Sequence, residues 1–157
     1  MAKPLFRKSV SILLLNKNKE LLIIRLPDKK GGGWKFPSGG ADKSEKIEDT
    51  VIREIYEEIG TKKVRILAKS VHTHQYLWPK EALQGIKEKY GIPYEGQELT
   101  SFLVEYLGAH SDLVINEDEL VEYRWVKAED LKTYFTFDDQ LDYTNKVLKD
   151  FAKFLHA

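Results

Sequence analysis

Apolar residues recur along this chain in two rhythms, and the switches between them lay out its elements. Ser9–Leu15 (SVSILLL) and Glu20–Leu26 (ELLIIRL) are β-rich runs joined by the polar Asn16–Lys19, a pattern that predicts a hairpin. Pro27–Gly33 is a Lys- and Gly-rich loop. Trp34–Pro37 is short and extended, because the residue before a proline avoids the helical region. At Val51, Ile52, Ile55 and Ile59 the period changes to that of a helix with one apolar face, expected from about Ser44 to Ile59. Ser44 is its expected N-cap and Gly60 its C-terminal stop. Lys63–Trp78 reads as one or two strands, Pro79–Gly96 as a polar and partly helical excursion, and Leu99–Leu107 and Leu120–Val126 as further strands. Ala128–Tyr134 is expected to form a short helix. Asp139–His156 carries helical periodicity through Leu141, Val147, Leu148, Phe151 and Leu155. Strands interleaved with helices, without repeats or linkers, point to a layered α/β domain.

Composition narrows this reading. A chain of 157 residues, 42% of them apolar, suits one domain spanning 1–157 with a sizeable core. Basic and acidic residues number 25 each, so the net charge is zero. That balance argues against coating duplex nucleic acid by charge alone, but leaves room for a small anionic substrate held locally. The lack of cysteine excludes disulfides, thiolate metal sites and cysteine nucleophiles. With no signal peptide and no apolar run approaching 18 residues, a soluble, cytoplasmic protein without a membrane partner is expected. The oligomeric state stays open.

The candidate chemistry lies in Gly39–Thr61, GGADKSEKIEDTVIREIYEEIGT. At 100° per residue, Glu54, Glu57 and Glu58 fall within an arc of about 100° on the helix. The aliphatic residues occupy the neighbouring arc. Two carboxylates about 4 Å apart repel by roughly 4 kcal/mol at an effective dielectric near 20, so three need a counter-charge. A hard divalent cation supplies it, keeping waters and substrate phosphates as its other ligands. A glutamate-rich helix is most often only a solvated face. Here the fixed positions are Gly39, Glu45, Arg53, Glu54, Glu57, Glu58 and Gly60, a spacing expected by chance on the order of once in a million chains.

This segment resembles the Nudix box, G-x5-E-x7-R-E-U-x-E-E-x-G-U with U a bulky aliphatic. Thr61, at the last aliphatic site, is the one departure. The resemblance implies an α/β/α sandwich with a central mixed sheet, and a Mg²⁺- or Mn²⁺-dependent hydrolase of nucleoside diphosphate-X compounds. It implies Gly39, Glu54, Glu57 and Glu58 as metal ligands, with Glu54 and Glu58 also candidate catalytic residues. Glu45 and Arg53 are assigned a supporting role, a guanidinium fork being suited to hold a loop carboxylate. Glu119–Val126 (ELVEYRWV) is similar to the E-x3-W-x-W-V segment of the branch containing RNA 5′-pyrophosphohydrolases and diadenosine tetraphosphate hydrolases. In that branch the first glutamate serves as general base, which falls on Glu119, with Tyr123 in place of the first tryptophan.

Two further segments are similar to the same branch. Tyr76–Lys80 resembles its Y-x-x-P-K element, which would turn Tyr76 and Lys80 toward the phosphate chain as hydroxyl donor and point charge. Tyr94–Gln97 with Phe102–Glu105 resembles its G-Q-x-x-x-W-F-L strand, with Ser101 where tryptophan is usual. Arg25 and Lys35, near the box in sequence, are additional candidate phosphate contacts. Phe137 matches an aromatic that stacks on a base, although core packing explains it equally well. Asp138 replaces the lysine usual in the RNA enzymes. With the neutral charge, it ranks a free dinucleoside polyphosphate such as diadenosine tetraphosphate ahead of an RNA 5′ end. A nucleoside or dihydroneopterin triphosphate pyrophosphohydrolase is the alternative enzyme, and a catalytically silent nucleotide-binding domain the non-enzymatic one. His72 and His74, sharing a strand face through period two, are read as core or edge histidines. Gly31–Gly33 is read as a flexible flap beside the site.

Overall fold

The first apolar run is buried without a break from Ser9 to Leu15, as befits a strand covered on both faces. In the computed structural model, which describes residues 3–137 and 139–156, that strand is β1 (Phe6–Leu15). It is followed by β2 (Leu21–Arg25), β3 (Trp34–Lys35), β4 (Ser38–Gly40), α1 (Ile47–Ile59), β5 (Val64–Leu77), α2 (Leu83–Tyr90), β6 (Gly96–Tyr106), β7 (Glu122–Val126), α3 (Leu131–Tyr134), α4 (Gln140–Asp150) and α5 (Ala152–Leu155). The sheet runs β3-β2-β1-β6-β5, with β4 joined to β1 and β7 to β2. It is mixed: β1 and β6 are parallel, and the other pairings are antiparallel.

Alternation along β1 feeds two cores. Val10, Ile12 and Leu14 pack with Leu22, Phe102 and Val104 against Val51, Ile55 and Ile59 of α1. Leu13 and Leu15 pack with Leu21, Ile23 and Leu103 against Leu131, Phe135, Val147, Phe151 and Leu155. The expected α/β/α layering follows from this two-sided burial. Among the described residues no helix is long and apolar enough to cross a membrane. Asp138, read above as a departure from the RNA enzymes, lies outside the described residues.

Two helix boundaries depart from the sequence reading. α1 begins at Ile47, not near Ser44, and its N-cap Lys46 makes no side-chain cap. Ser44 is in the left-handed region at φ 68°, so it belongs to the turn and cannot cap. Glu45 does the local work instead, accepting from the Asp42 N–H at 3.1 Å and the Thr50 hydroxyl at 2.7 Å. Gly60 is the expected stop, at φ 72° with its N–H on the Tyr56 carbonyl. The C-terminal helix breaks at Phe151, whose fully buried ring and φ of −103° end α4 before α5 begins.

Candidate active site

The tight turn before α1 is dictated by contact with the helix. An added Cβ on Gly39 would lie 2.0 Å from the Glu54 carboxyl carbon, so only glycine admits that carboxylate against the β4 backbone. Arg53 then ties the turn to the helix. Its Nε and Nη2 donate to the two Glu45 oxygens at 2.8 and 2.9 Å, Nη2 also donates to the Gly40 carbonyl at 2.9 Å, and Nη1 donates to Glu54 at 3.0 Å. This fork is what the sequence assigned to Glu45 and Arg53. The bond from Arg53 holds Glu45 down at about 2, and the same partner pushes the guanidinium further up.

Glu58 is 8% exposed and its Oε2 has no hydrogen-bond partner. Burial pushes it up to about 8, with Glu54 and Glu119 adding repulsion while Lys35 pulls the other way. Glu54 is raised chiefly by burial, and Lys35 lowered by it against the attraction of Glu58 and Glu54. The group is a buried Glu58 and a half-buried Glu54 with one lysine, an orphaned Glu58 oxygen and a share of Arg53, a guanidinium also engaged by Glu45 and Glu57, and is short of positive charge. A divalent cation fits that donor set, and would draw both carboxyls back to their charged form.

Glu57 is the exception among the sequence-derived ligands. It is 52% exposed and turned to Arg53 Nη1 at 3.2 Å, drawn there by the i, i+4 guanidinium. Consequently, among the described residues no three acidic or histidine side chains already converge in a ligand cage. Glu119 comes near Glu54 and Glu58 because its loop is tied to the end of α1. The Asn116 N–H donates to the Glu58 carbonyl and the Val114 N–H to the Ile59 carbonyl, both at 3.0 Å. Lys30, which the sequence reading passed over as part of a loop, lies 3.4 Å from Glu119 and donates to the Asp118 carbonyl at 3.0 Å.

On the opposite face of the sheet, a cleft of about 590 Å³ opens between β5, β6 and α4. Lys35 and Ser38 line it, His74, Tyr76 and Tyr143 form an aromatic wall, and Phe137 stands at its rim, 56% exposed. Tyr76, which the sequence turned toward the phosphate chain, thus shares one cleft with Phe137. An added Cβ on Gly33, at φ 77°, would strike the Phe137 ring at 2.8 Å, so the last glycine of the flap is shaped around that ring. Lys35 and Ser38 also border the acidic pair: Lys35 acts on both carboxyls, and the Ser38 N–H favours the charged form of Glu58. The cleft therefore adjoins the acidic pair through these two residues.

Two of the expected phosphate contacts are placed elsewhere. Arg25 pairs in register with Trp34 and Glu122, its Nε donates to Glu122 at 2.9 Å, and it does not line the cleft. Lys80 is exposed in a turn and does not line the cleft. His74 and Tyr143 were missed as site residues. Their rings stack at 4.9 Å and 28°. Period two put His72 and His74 on one face, but His72 is instead held by Asp150 at 2.8 Å.

An acidic helix entered through a glycine turn thus stands beside an aromatic-walled cleft of about 590 Å³, an arrangement suited to a charged ligand with a flat ring. The sequence profile of the NUDIX domain matches residues 5–146, and the chain belongs to the Nudix hydrolases, enzymes that act on phosphoric anhydride bonds. It is 36% identical over 157 residues to an RNA pyrophosphohydrolase of a Nitratiruptor species, covering 98% of this chain and 97% of that protein. Among solved structures it superposes on an Ap4A hydrolase of C. elegans, in a binary complex, with TM-score 0.65 and 17% identity, covering 95% of this chain and 97% of the other. The E. coli dihydroneopterin triphosphate pyrophosphohydrolase gives TM-score 0.67 at 13% identity, covering 92% and 99%. At such identities the two structures speak for the fold alone.

Proposed function

We propose that this chain, acting as a single Nudix unit, is a metal-dependent pyrophosphohydrolase that opens the 5′ polyphosphate of a nucleotide. The triphosphorylated 5′ end of RNA is its first substrate, and a dinucleoside polyphosphate of the diadenosine tetraphosphate type its second. The observation that carries this reading is the sharing of Lys35 and Ser38 between the aromatic cleft and the acidic pair. A nucleobase in the cleft places its phosphates beside the carboxylates. Asp138 in place of lysine, with the neutral charge, favours the dinucleotide, whereas the name of a relative aligned over nearly the whole chain favours the RNA end.

Glu54, Glu58 and the Gly39 carbonyl would hold Mg²⁺ or Mn²⁺, with Glu57 joining once it leaves Arg53. When bound, the ion neutralises phosphate charge and makes a water acidic enough to attack. Lys35 offers its ammonium to the phosphate oxygens at the seam between cleft and carboxylates. Glu119, tethered to α1, accepts the proton of the attacking water. Tyr76 and Phe137 hold the base and fix the distance to the scissile bond. A panel of triphosphorylated RNA, diadenosine tetraphosphate, dATP and dihydroneopterin triphosphate, with products identified by mass, tests this. The reading expects pyrophosphate from RNA ends or an ATP and AMP pair from the dinucleotide. Preference for dihydroneopterin triphosphate, or nucleotide binding without turnover, overturns it.

A further inference from the structure

The β5–β6 ladder contains an irregularity that the mechanism above leaves unused. Lys69 pairs with Phe102, but the next pair is Thr73 with Thr100. Three residues of β5, Ser70 to His72, thus face Ser101 alone, and every later residue is displaced by two positions. His74 and Tyr76 oppose Leu99 and Gln97 because of that displacement. Without it, His72 and His74 would occupy those places. A bulge of this kind re-aims the side chains that follow it.

One carboxylate holds the bulge together. Asp150 Oδ2 accepts from the Ser70 hydroxyl, from the Val71 N–H at 3.3 Å and from His72 Nδ1 at 2.8 Å. The Ser70 oxygen in turn accepts from the His72 N–H at 3.1 Å. These bonds, Ser70 first and His72 next, hold the Asp150 carboxyl below its ordinary range, so it is ionised and only accepts. The cluster is not a second nucleophilic centre. Ser70 is 3% exposed, out of reach of a substrate, and the carboxylate it donates to is a weaker base than an ordinary one.

Asp150 shares a stripe of α4 with Val147 and Tyr143, at i, i+3 and i+7 read backwards along the helix. The Tyr143 hydroxyl lies 2.9 Å from Ser101 Oγ, directly opposite the bulge, and 3.5 Å from the His72 carbonyl. Its ring stacks on His74. The small side chain at Ser101, where the resembling branch usually has tryptophan, leaves the space that Tyr143 fills.

We propose that Asp150 is a positioning residue for the nucleobase: by clamping the Ser70–His72 bulge to α4, it sets the His74–Tyr143 wall of the cleft. This rests on the reading that a base enters that cleft. The test is calorimetric binding of AMP and of ribose 5-phosphate, which lacks the base, alongside KM and kcat on the preferred substrate. Asp150→Leu keeps the branched heavy-atom outline, though with bulkier methyl groups, and removes the acceptor. It should weaken AMP and raise KM about tenfold, leaving ribose 5-phosphate and kcat within about twofold. Asp150→Asn, whose amide oxygen still accepts, should recover most of the loss. Unchanged AMP binding in Asp150→Leu, or equal weakening of both ligands, overturns the proposal. Should Asp150→Leu fail to fold, His72→Ala removes one donor from an exposed position: a loss of about threefold for AMP alone supports the clamp, and no change overturns it. A wild-type protein that binds AMP no better than ribose 5-phosphate sinks the base-in-cleft reading and this proposal together. Intact wild-type discrimination that survives in the variants sinks only the clamp.

Discussion

The two faces of the sheet are built by different means. On the α1 face, Gly39, Glu45, Arg53, Glu54 and Glu58 come from 20 consecutive residues, and one guanidinium joins the turn to the helix. On the α4 face, Ser38, His74, Tyr76, Gln97, Ser101, Phe137 and Tyr143 come from elements and loops spread over the chain. Reactive groups need close mutual geometry, which one helix and its preceding turn supply locally. A cleft that selects a ligand needs walls, and only tertiary packing brings walls together.

The sharpest way to break this contrast is to act on the first face and look for loss of turnover without loss of base binding. Glu58→Gln should lower kcat about 10³-fold while AMP binding changes less than about threefold. Glu119→Gln should lower kcat about 10²-fold with KM little altered; near-wild-type turnover would move the base to Glu54 or Glu58. On the second face, Phe137→Ala or Tyr76→Ala should raise KM roughly tenfold and spare kcat, the cost of losing one stacking partner.

The smallest effect concerns stability. Glu45 is depressed to about 2 from the ordinary 4.5, so its bond to Arg53 contributes fully above pH 4.5 and is lost as pH falls toward 2. Urea unfolding at about pH 6 and about pH 3 should show that slope in the wild type. Glu45→Gln should flatten it, and an equal slope in both would contradict the role assigned to this ion pair.

This division explains what the sequence made legible. The box spacing and the 3.6-residue period fell on neighbouring residues, so Glu54, Glu58, Arg53 and the Gly60 stop could be placed from the chain alone. Ser44 could not, because its left-handed φ of 68° places it in the turn before α1, which its residue type does not reveal. Arg25 lies outside the cleft because its register sets it beside Trp34 and Glu122, a neighbourhood that nearness to the box in sequence does not encode. His74 and Tyr143 lie far apart in the chain, and a bulge opposite Ser101 determines their meeting. No periodicity signals a bulge. Glu57 satisfied the spacing, yet its position on α1 also placed it four residues from Arg53, and the nearer charge holds it.

The central claim is that the Glu54–Glu58 pair, with the orphaned oxygen of buried Glu58, is completed by a divalent cation. Titration of Mn²⁺ into the protein, followed by calorimetry or the paramagnetic signal of the free ion, measures this without recourse to activity. The account predicts saturable binding in the wild type, weakened about 100-fold or more in Glu58→Gln. Equal Mn²⁺ affinity in the two proteins, or none in the wild type, would contradict it.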